Sequence, residues 1–369
     1  MKINFLHPKY RRNIYKIIVF GTIWVIFGII YTLLEKGLLG DLNYYPSTGN
    51  SYDFGTSIFL TPLSTFIMGC LMGSLEVFVL SKMFDKESFG KKIFYKTIIY
   101  LSSIGLFLIS LTIITNSYRL NVSIFNEEVI QIMLLFFFNF AFWSIIIYMA
   151  VIIGLTLFIS EISDNIGQGV LLNFFIGKYH TPLVEERIFM FLDMKSSTTI
   201  AERLGHVKYY QLLNEYYADL TKAILETSGE IYQYVGDEVI VTWKVKTGLK
   251  NANCLQCFFQ SKYIFDENSE SYLKKYDVKP EFKAGFHMGS ITTGEIGVIK
   301  KEIIFTGDVL NTTARIQGKC NDYNVDILLS EALKNQLTEK NNYTFKEIGS
   351  CDLRGKNEAV KLYTIFNNY

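Results

Sequence analysis

The feature that most constrains the fold of this chain is the uneven distribution of its apolar residues. A helix needs about 20 consecutive, mostly apolar residues to cross the hydrocarbon core of a bilayer. The N-terminal part of the 369-residue chain contains four stretches of about that length, which are Ile17–Leu34, Ile58–Leu80, Ile98–Thr115 and Ile132–Ile159. The pattern therefore predicts a membrane domain with four transmembrane helices over residues 1–160.

Lysine and arginine in the connecting segments predict the orientation of this domain, because cytoplasmic segments next to transmembrane helices are enriched in these residues. They are frequent in residues 2–16 and 82–96, whereas residues 40–56 contain none and residues 116–130 contain only Arg119. Both ends of the chain are therefore expected in the cytoplasm, with the protein in the inner (plasma) membrane. No cleavage site of small residues follows the first stretch, so we do not expect a signal peptide.

Glu76 is the only carboxylate within the four apolar stretches. A charged group at membrane depth is expensive and normally faces protein or water. Because Glu76 lies near the predicted cytoplasmic end of the second span, we interpret it as an interface carboxylate, with a functional relay as the alternative.

The remainder of the chain reads as a soluble protein. Residues 161–185 are too short for a domain and are interpreted as a juxtamembrane coupling segment, which leaves 186–369 for a second domain. The formal net charge is +1 and no basic stripe with interleaved aromatic residues is present, so no nucleic-acid partner is expected. Cys254 and Cys257 are one helical turn apart without a second pair, which favours two small, reduced residues on a helix face over a metal site.

The order of elements in the second domain predicts an α+β fold. An apolar strand ends at Asp193, a helical pattern covers 200–227, and two apolar runs flank the Gly236-Asp237 turn of a hairpin. A second helical pattern over 249–276 and a strand over 281–287 follow. This is the order of a ferredoxin-like βαββαβ core.

That topology brings two carboxylates together. The first and third strands of such a sheet are antiparallel neighbours, so the end of the first lies beside the start of the third. Asp193 ends the first strand and Asp237 opens the third. Paired carboxylates beside the backbone N–H groups of a turn suit two divalent cations and a triphosphate. Each aspartate alone would instead be read as a helix cap or a turn residue.

Four segments of the second domain, in this order, resemble the class III adenylyl/guanylyl cyclase family. Two resemble its metal-aspartate motifs, one its G-x-x-x-N-x-x-x-R helix and one its phosphate-contacting loop. They are Phe191-Leu-Asp-Met-Lys-Ser-Ser-Thr198, Tyr234-Val-Gly-Asp-Glu238, Gly307-Asp-Val-Leu-Asn-Thr-Thr-Ala-Arg315 and Leu353-Arg-Gly-Lys356.

The resemblance implies a role for each matching residue. Asp193, Met194 and Asp237 would hold two Mg²⁺ or Mn²⁺ ions, Asn311 would orient the ribose, and Arg315 would stabilise charge on the α-phosphoryl oxygens. The remaining nucleotide-binding residues would be Ser196, Ser197, Thr198, Gln233, Ile304 and Arg354. Since family sites take the metal aspartates from one subunit and the Asn/Arg pair from the other, the resemblance also implies a homodimer with two symmetric sites.

The base-reading positions depart from the family. Gln233 stands where adenylyl cyclases usually have lysine, and Ile304 where they have aspartate or threonine. A glutamine amide can both donate and accept, and could therefore read either adenine or guanine, whereas isoleucine can read neither. ATP, converted to 3′,5′-cyclic AMP and pyrophosphate, is the expected substrate. GTP is the alternative.

Other functions remain open at this point. A membrane receptor whose cyclase domain binds nucleotide without catalysis is one alternative. A diguanylate cyclase is another, although Val235-Gly-Asp-Glu-Val239 matches its G-G-D-E-F signature only in part. Whatever the chemistry, the membrane domain is expected to meet the lipid bilayer and to receive a sensory ligand or partner that the sequence does not identify.

Overall fold

The computed structural model describes residues 8–44, 51–84, 87–167, 170–337, 343–351 and 359–367. The chain divides into two compact units, one formed by Tyr10–Leu172 and one that contains Asn173–Tyr369. The division falls inside the predicted coupling segment, residues 161–185. Each unit has its own hydrophobic core.

The first unit is helical. Among the described residues, four of its helices are long and apolar enough to cross a membrane: Arg12–Leu39, Phe54–Met83, Phe89–Leu120 and Phe140–Ile166. The elements in chain order are α1 (Pro8–Leu39), α2 (Phe54–Leu75), a π-helical turn (Glu76–Leu80), α3 (Ser81–Met83), α4 (Phe89–Leu120), α5 (Glu127–Phe137) and α6 (Phe140–Ile166).

The fourth apolar stretch is not the single helix that the sequence predicts over Ile132–Ile159. It is divided between α5 and α6 at Asn139, whose side-chain oxygen accepts a hydrogen bond from Ala141 N at 2.8 Å. Asparagine is a preferred N-cap because its side chain satisfies one of the free N–H groups of the first turn. The break therefore shifts the long helix to Phe140–Ile166.

Glu76 is buried against the other helices of this unit. Its Oε1 lies 2.5 Å from Lys96 Nζ on α4, and its Oε2 accepts from the Tyr100 hydroxyl at 3.1 Å. Lys96 also donates to Glu161 Oε1 on α6 at 3.0 Å. Lys96 belongs to the lysine-rich segment that the sequence predicts as a loop, but it lies within α4 and its side chain is 1% exposed. The cluster thus links the π-helical turn to α4 and α6.

In its described residues, the second unit is built around an eight-stranded mixed sheet with helices on its faces. The strand order is β2-β3-β1-β4-β6-β8-β7, with β5 paired to β4. The strands are β1 (Leu183–Met194), β2 (Glu230–Val235), β3 (Glu238–Lys244), β4 (Phe282–Ile296), β5 (Glu302–Thr306), β6 (Ile327–Ser330), β7 (Tyr343–Cys351) and β8 (Val360–Asn367). The helices are α7 (Val170–Phe175), α8 (Ser197–Leu204), α9 (His206–Glu226), α10 (Val245–Leu249), α11 (Asn253–Glu267), α12 (Ser269–Tyr276), α13 (Asp308–Gly318) and α14 (Glu331–Lys334).

The predicted ferredoxin-like core is confirmed. Strand β1 pairs antiparallel with both β3 and β4, and β2 pairs antiparallel with β3. The helical patterns are more broken than predicted: the first divides into α8 and α9 at Gly205, whose φ of +73° favours glycine. The predicted strand over 281–287 continues to Ile296 because β4 also pairs with β5.

Strand β1 is buried on both faces, and its alternate residues enter two different cores. Ile188, Met190 and Leu192 pack with α9 and α11 in the larger core. Phe189 and Phe191 pack on the opposite face, beside Val309 of α13. A strand covered on both faces reads as a continuous apolar run rather than an alternating one. The next residue on the α13 face is Asp193.

Cys254 and Cys257 lie on one side of α11, in agreement with the interpretation as two small, reduced residues on a helix face, and both are buried. Both thiols are free, and burial raises the pKa of each to about 12. A thiol with a high pKa is a poor nucleophile and a poor metal ligand. The pair therefore contributes packing.

Candidate active site

Asp193 is placed by the pairing of β1 with its neighbours. Leu192 pairs with Val239 of β3, and Asp193 itself pairs with Lys283 of β4. Since side chains alternate along a strand, Asp193 points to the same face as Phe191, where α13 packs. Its side chain is 27% exposed. A carboxylate here lies at the boundary between a packed core and solvent.

Asp237 lies in the two-residue turn between β2 and β3. The turn is formed by Gly236, whose φ of +64° favours glycine, and its carbonyl accepts a hydrogen bond from the Tyr217 hydroxyl of α9. The turn brings the Asp237 carboxylate within hydrogen-bonding reach of Asp193. The two carboxylates that the sequence predicts to converge are therefore brought together.

A third carboxylate adds to the negative charge. Burial, and then the nearby Asp237 carboxylate, raise the pKa of Asp193. Burial and the charges of Asp193 and Asp237 raise the pKa of Glu238 to about 7. The opposing charge is Lys283, whose Nζ lies 3.5 Å from Asp193 Oδ2. Such a cluster favours either protonation or a bound cation.

One atom of the pair is suited to a metal ion. Asp237 Oδ2 is buried and has no hydrogen-bond partner among the described residues. A buried charged oxygen without a partner is costly, and a divalent cation would satisfy it. Within the described part of the chain, no group of three or more His, Cys, Asp and Glu side chains is arranged to hold a metal. The pair of carboxylates fits Mg²⁺ or Mn²⁺, because Mg²⁺ is usually bound through one or two carboxylates, with water and substrate phosphates completing its coordination.

Met194 is the third residue assigned to the metal site by the sequence. Its side chain is 2% exposed and lies in the larger core. A thioether is a soft ligand that Mg²⁺ does not use. Only the backbone carbonyl of Met194 could therefore contribute.

The turn after Asp193 leads directly into a helix. Ser196 has a φ of +57°, in the left-handed region, and α8 begins at Ser197. Ser196 and Thr198 are exposed and Ser197 is half-buried. The first N–H groups of a helix have no intrahelical acceptor and favour an anion. Ser196, Ser197 and Thr198 therefore lie where the free N–H groups at the start of α8 could bind a phosphate group.

Asn311 and Arg315 lie one turn apart on α13, as their spacing predicts. Asn311 is exposed and Arg315 is half-buried, and neither side chain forms a hydrogen bond or ion pair with another residue in the described part of the chain. In particular, neither side chain forms a hydrogen bond or ion pair with Asp193 or Asp237. Within one copy of the chain, the two predicted sets of residues are therefore not joined by a direct polar contact.

The remaining predicted residues are dispersed. Gln233 is exposed and lies at a bulge in the edge strand β2, and Ile304 is half-buried on β5, paired with Gly294. The Tyr232 hydroxyl accepts from Phe305 N at 3.3 Å, so β2 and β5 approach each other near these two positions. Arg354 and its loop lie outside the described residues.

Two site residues were missed by sequence reasoning. Gln317 of α13 donates from Nε2 to Asp193 Oδ2 at 3.1 Å, and Lys283 approaches the same oxygen. Lys283 could have been found only from the β1–β4 register. Gln317 left a weak signal, since it is a polar residue on the apolar side of an amphipathic helix.

Comparison with known proteins identifies a family and several relatives. The family described as the adenylate and guanylate cyclase catalytic domain matches residues 182–367. "Adenylate cyclase 2" of Rhizobium meliloti (strain 1021) is 29% identical over 222 residues, which cover 60% of this chain and 61% of the relative. "Adenylate cyclase" of Anabaena cylindrica is 26% identical over 181 residues, which cover 48% of this chain and 36% of the relative.

A solved structure, that of the adenylyl cyclase CyaB from P. aeruginosa, is 19% identical, with a TM-score of 0.45 over 51% of this chain and 97% of that one. The family match covers half of the chain and includes Asp193, Asp237, Asn311 and Arg315. The chain therefore belongs to the class III adenylate and guanylate cyclase family.

Proposed function

We propose that this protein is a membrane-bound adenylate cyclase that converts ATP to 3′,5′-cyclic AMP and pyrophosphate. The observation that carries the proposal is the pair formed by Asp193 and Asp237, in which a buried carboxylate oxygen of Asp237 has no partner among the described residues. A structural role would satisfy that oxygen within the protein. A role in binding a cation and a triphosphate explains why it is left open.

The reaction joins the ribose 3′-oxygen to the α-phosphorus and breaks the bond between the α-phosphorus and the oxygen that bridges to the β-phosphorus. Divalent cations bound by Asp193 and Asp237 would lower the pKa of the 3′-hydroxyl and neutralise the triphosphate. The chain's own contribution is to place the two carboxylates and to offer the first turn of α8 to phosphate oxygens. Ser196, Ser197 and Thr198 line that turn.

The second half of the site comes from a second copy of the chain. Asn311 is exposed and Arg315 half-buried on α13, and neither side chain is hydrogen-bonded or ion-paired with Asp193 or Asp237 of its own chain. Arginine binds phosphate oxygens through several N–H groups, so Arg315 would stabilise charge that develops on the α-phosphoryl group. Asn311 would hold the ribose. Arg354 would bind the terminal phosphates, and two copies would form two equivalent sites.

The helical unit anchors the protein in the membrane. Its four long helices match bilayer-spanning length, and the lysine and arginine distribution supports an orientation with both chain ends in the cytoplasm, where ATP is available. The catalytic domain would accordingly face the cytoplasm.

ATP is proposed over GTP because two curated relatives of the catalytic domain are named adenylate cyclases. The chain spans less than two thirds of the length of each of those relatives. The proposal of ATP therefore depends on similarity within the shared catalytic domain alone. Gln233 can hydrogen-bond the adenine edge with either its carbonyl or its amide.

The test is to incubate the purified full-length protein with ATP or GTP and Mn²⁺ and to identify the products by mass spectrometry. Cyclic AMP that disappears in the Asp237→Ala variant supports the proposal. Formation of cyclic GMP from GTP, without cyclic AMP from ATP, would make the protein a guanylate cyclase. The absence of any cyclic product from protein that still binds nucleotide would favour the receptor alternative.

A further inference from the structure

Gln317 is a polar side chain on the buried side of α13. Its neighbours on that side include Val309 and Ile316, and Gln317 itself is 6% exposed. A buried amide without hydrogen-bond partners is costly. Gln317 satisfies its Nε2 group with Asp193 Oδ2, at a distance of 3.1 Å. The amide is therefore directed at the carboxylate that we assign to the metal site.

A close approach between α13 and the sheet makes this contact possible. A Cβ atom at Gly285 of β4 would lie 2.3 Å from the backbone nitrogen of Gln317 and 2.6 Å from its Cα, so only glycine fits there. Strand β4 is the direct neighbour of β1, and Asp193 pairs with Lys283 in that ladder. The backbone of α13 thus rests on β4 where the Gln317 side chain can reach across to β1.

The two oxygens of Asp193 have different surroundings. Oδ2 receives the Gln317 amide and lies 3.5 Å from Lys283 Nζ. No hydrogen-bond donor among the described residues reaches Oδ1. Because a carboxylate is planar, holding one oxygen fixes the direction of the other. Asp193 is therefore oriented with one oxygen engaged by the protein and the other left for a ligand.

Gln317 and Lys283 differ in their electrostatic effect on a cation bound at Asp193. Lys283 carries a positive charge, which repels a divalent ion bound at the same carboxylate. Gln317 is neutral, so it orients the carboxylate without this repulsion. Partners that orient ligands from outside the coordination sphere commonly change metal affinity 10–100-fold when they are removed.

We propose that Gln317 is a positioning residue that orients Asp193 for a divalent cation and thereby links metal binding to helix α13. The inference rests on the proposed function only in taking Asp193 as a metal ligand. Since α13 also carries Asn311 and Arg315, each copy of the helix would contact the metal pair of its own chain and the nucleotide of the other site.

The experiment measures Mn²⁺ binding to the purified full-length protein by electron paramagnetic resonance of the free ion. Titrations are made with Mn²⁺ alone and with Mn²⁺ plus 3′-deoxy-ATP, which lacks the attacking hydroxyl. Gln317→Met removes the donor while keeping the length of the side chain. The matched control is Thr313→Val, because Thr313 is buried on the same helix but donates only to Val309 O of that helix, at 2.6 Å.

Gln317→Met is expected to weaken Mn²⁺ binding about tenfold, whereas Thr313→Val leaves it unchanged. Raising Mn²⁺ should restore most of the turnover of Gln317→Met, because the defect lies in affinity for the ion. Gln317→Asn keeps the amide but shortens its reach, so it should weaken Mn²⁺ binding as Gln317→Met does. It replaces Gln317→Met in the experiment if that variant does not fold.

Wild-type Mn²⁺ affinity in both Gln317 variants would overturn the inference, as would equal weakening in Thr313→Val or no measurable binding to the unaltered protein. The two proposals fail separately. If the unaltered protein forms no cyclic nucleotide but Gln317→Met weakens Mn²⁺ binding, the function is wrong and the positioning role stands. If cyclic AMP is formed and Mn²⁺ binding is insensitive to changes at Gln317, the proposed function stands and the positioning role is wrong.

Discussion

Asp193 and Asp237 lie within hydrogen-bonding reach of each other, although Asp193 belongs to β1 and Asp237 to the distant turn between β2 and β3. Two neighbouring, partly buried carboxylates repel each other, which raises the pKa of Asp193 beyond the effect of burial. Neither residue improves the packing of the core. The pair is therefore a source of instability that a bound cation would relieve, and it motivates the first prediction.

Asp237→Ala should abolish catalysis without harming the fold. We expect turnover with Mn²⁺ to fall by roughly 100-fold or more, because the cations supply several kcal/mol of stabilisation to the transition state. The melting temperature of the metal-free protein should stay the same or rise, since a repelling charge is removed. Asp266→Ala, which removes a half-exposed carboxylate paired with Lys279, is the control and should retain activity. Near-normal turnover of Asp237→Ala would contradict the metal assignment.

Two inactive variants should restore activity to each other if the site is shared between chains. Asp193→Ala and Arg315→Ala remove groups that do not contact each other within one chain. Co-expressed, they form mixed dimers in which one site receives both changes and the other receives neither. Random pairing makes about half the dimers mixed, so roughly a quarter of all sites should be intact. No recovery despite confirmed mixed dimers would show that the sites are not shared in this way.

The identity of residue 233 should affect the choice of purine. Gln233 is exposed on the edge strand β2, so a substitution there does not disturb the core. We expect Gln233→Lys to change the ratio of kcat/KM for ATP to that for GTP more than it changes the rate with the preferred nucleotide. Steady-state kinetics with both nucleotides measure this ratio. An unchanged ratio would mean that other residues read the base.

The orientation of the membrane unit can be tested by labelling single cysteines in intact cells, in a background without the native cysteines. Asn43, Ser123 and Ser88 are all exposed in the structure. A membrane-impermeant thiol reagent should label cysteine at 43 or 123 and should not label cysteine at 88. The opposite pattern would place the catalytic domain away from cytoplasmic ATP.

The buried pair formed by Lys96 and Glu76 should contribute strongly to the stability of the membrane unit. Lys96→Met leaves Glu76 buried without a counter-charge, which costs about 3 kcal/mol or more. The melting temperature in detergent should fall by roughly 6 °C or more. Lys92→Met is the control, because Lys92 Nζ lies 4.0 Å from Glu161 and is more exposed. Combining Lys96→Met with Glu76→Gln should recover part of the loss, and equal effects of the two lysine changes would contradict the assignment.

The convergence of Asp193 and Asp237 could be predicted from the sequence because it depends on topology. The alternation of strands, helices and a Gly-Asp turn defines a core in which β1 and β3 must be neighbours. The structure confirms this arrangement. The four apolar stretches were equally predictable, since spanning length is a property of a local run of residues.

Local patterns failed where a single polar residue changes a long apolar segment. Asn139 lies within the fourth apolar stretch, which hydropathy predicts as one helix, but its side chain caps α6 and divides the helix. Lys96 reads as part of a basic loop, but it is buried by Glu76 and Glu161 from two other helices. In each case the outcome depends on a partner that hydropathy does not record.

The topology of the sheet, the spanning length of the apolar stretches and the convergence of Asp193 and Asp237 could thus be predicted from local patterns and their order. Tertiary structure alone decided which side chains support the two carboxylates. Gln317 reaches Asp193 only because Gly285 lets α13 rest on β4, and that contact joins residues that no pattern in the chain relates. The physical reason is that periodicity reports which face of an element is buried, whereas a hydrogen bond between two elements depends on how closely and in which register they pack.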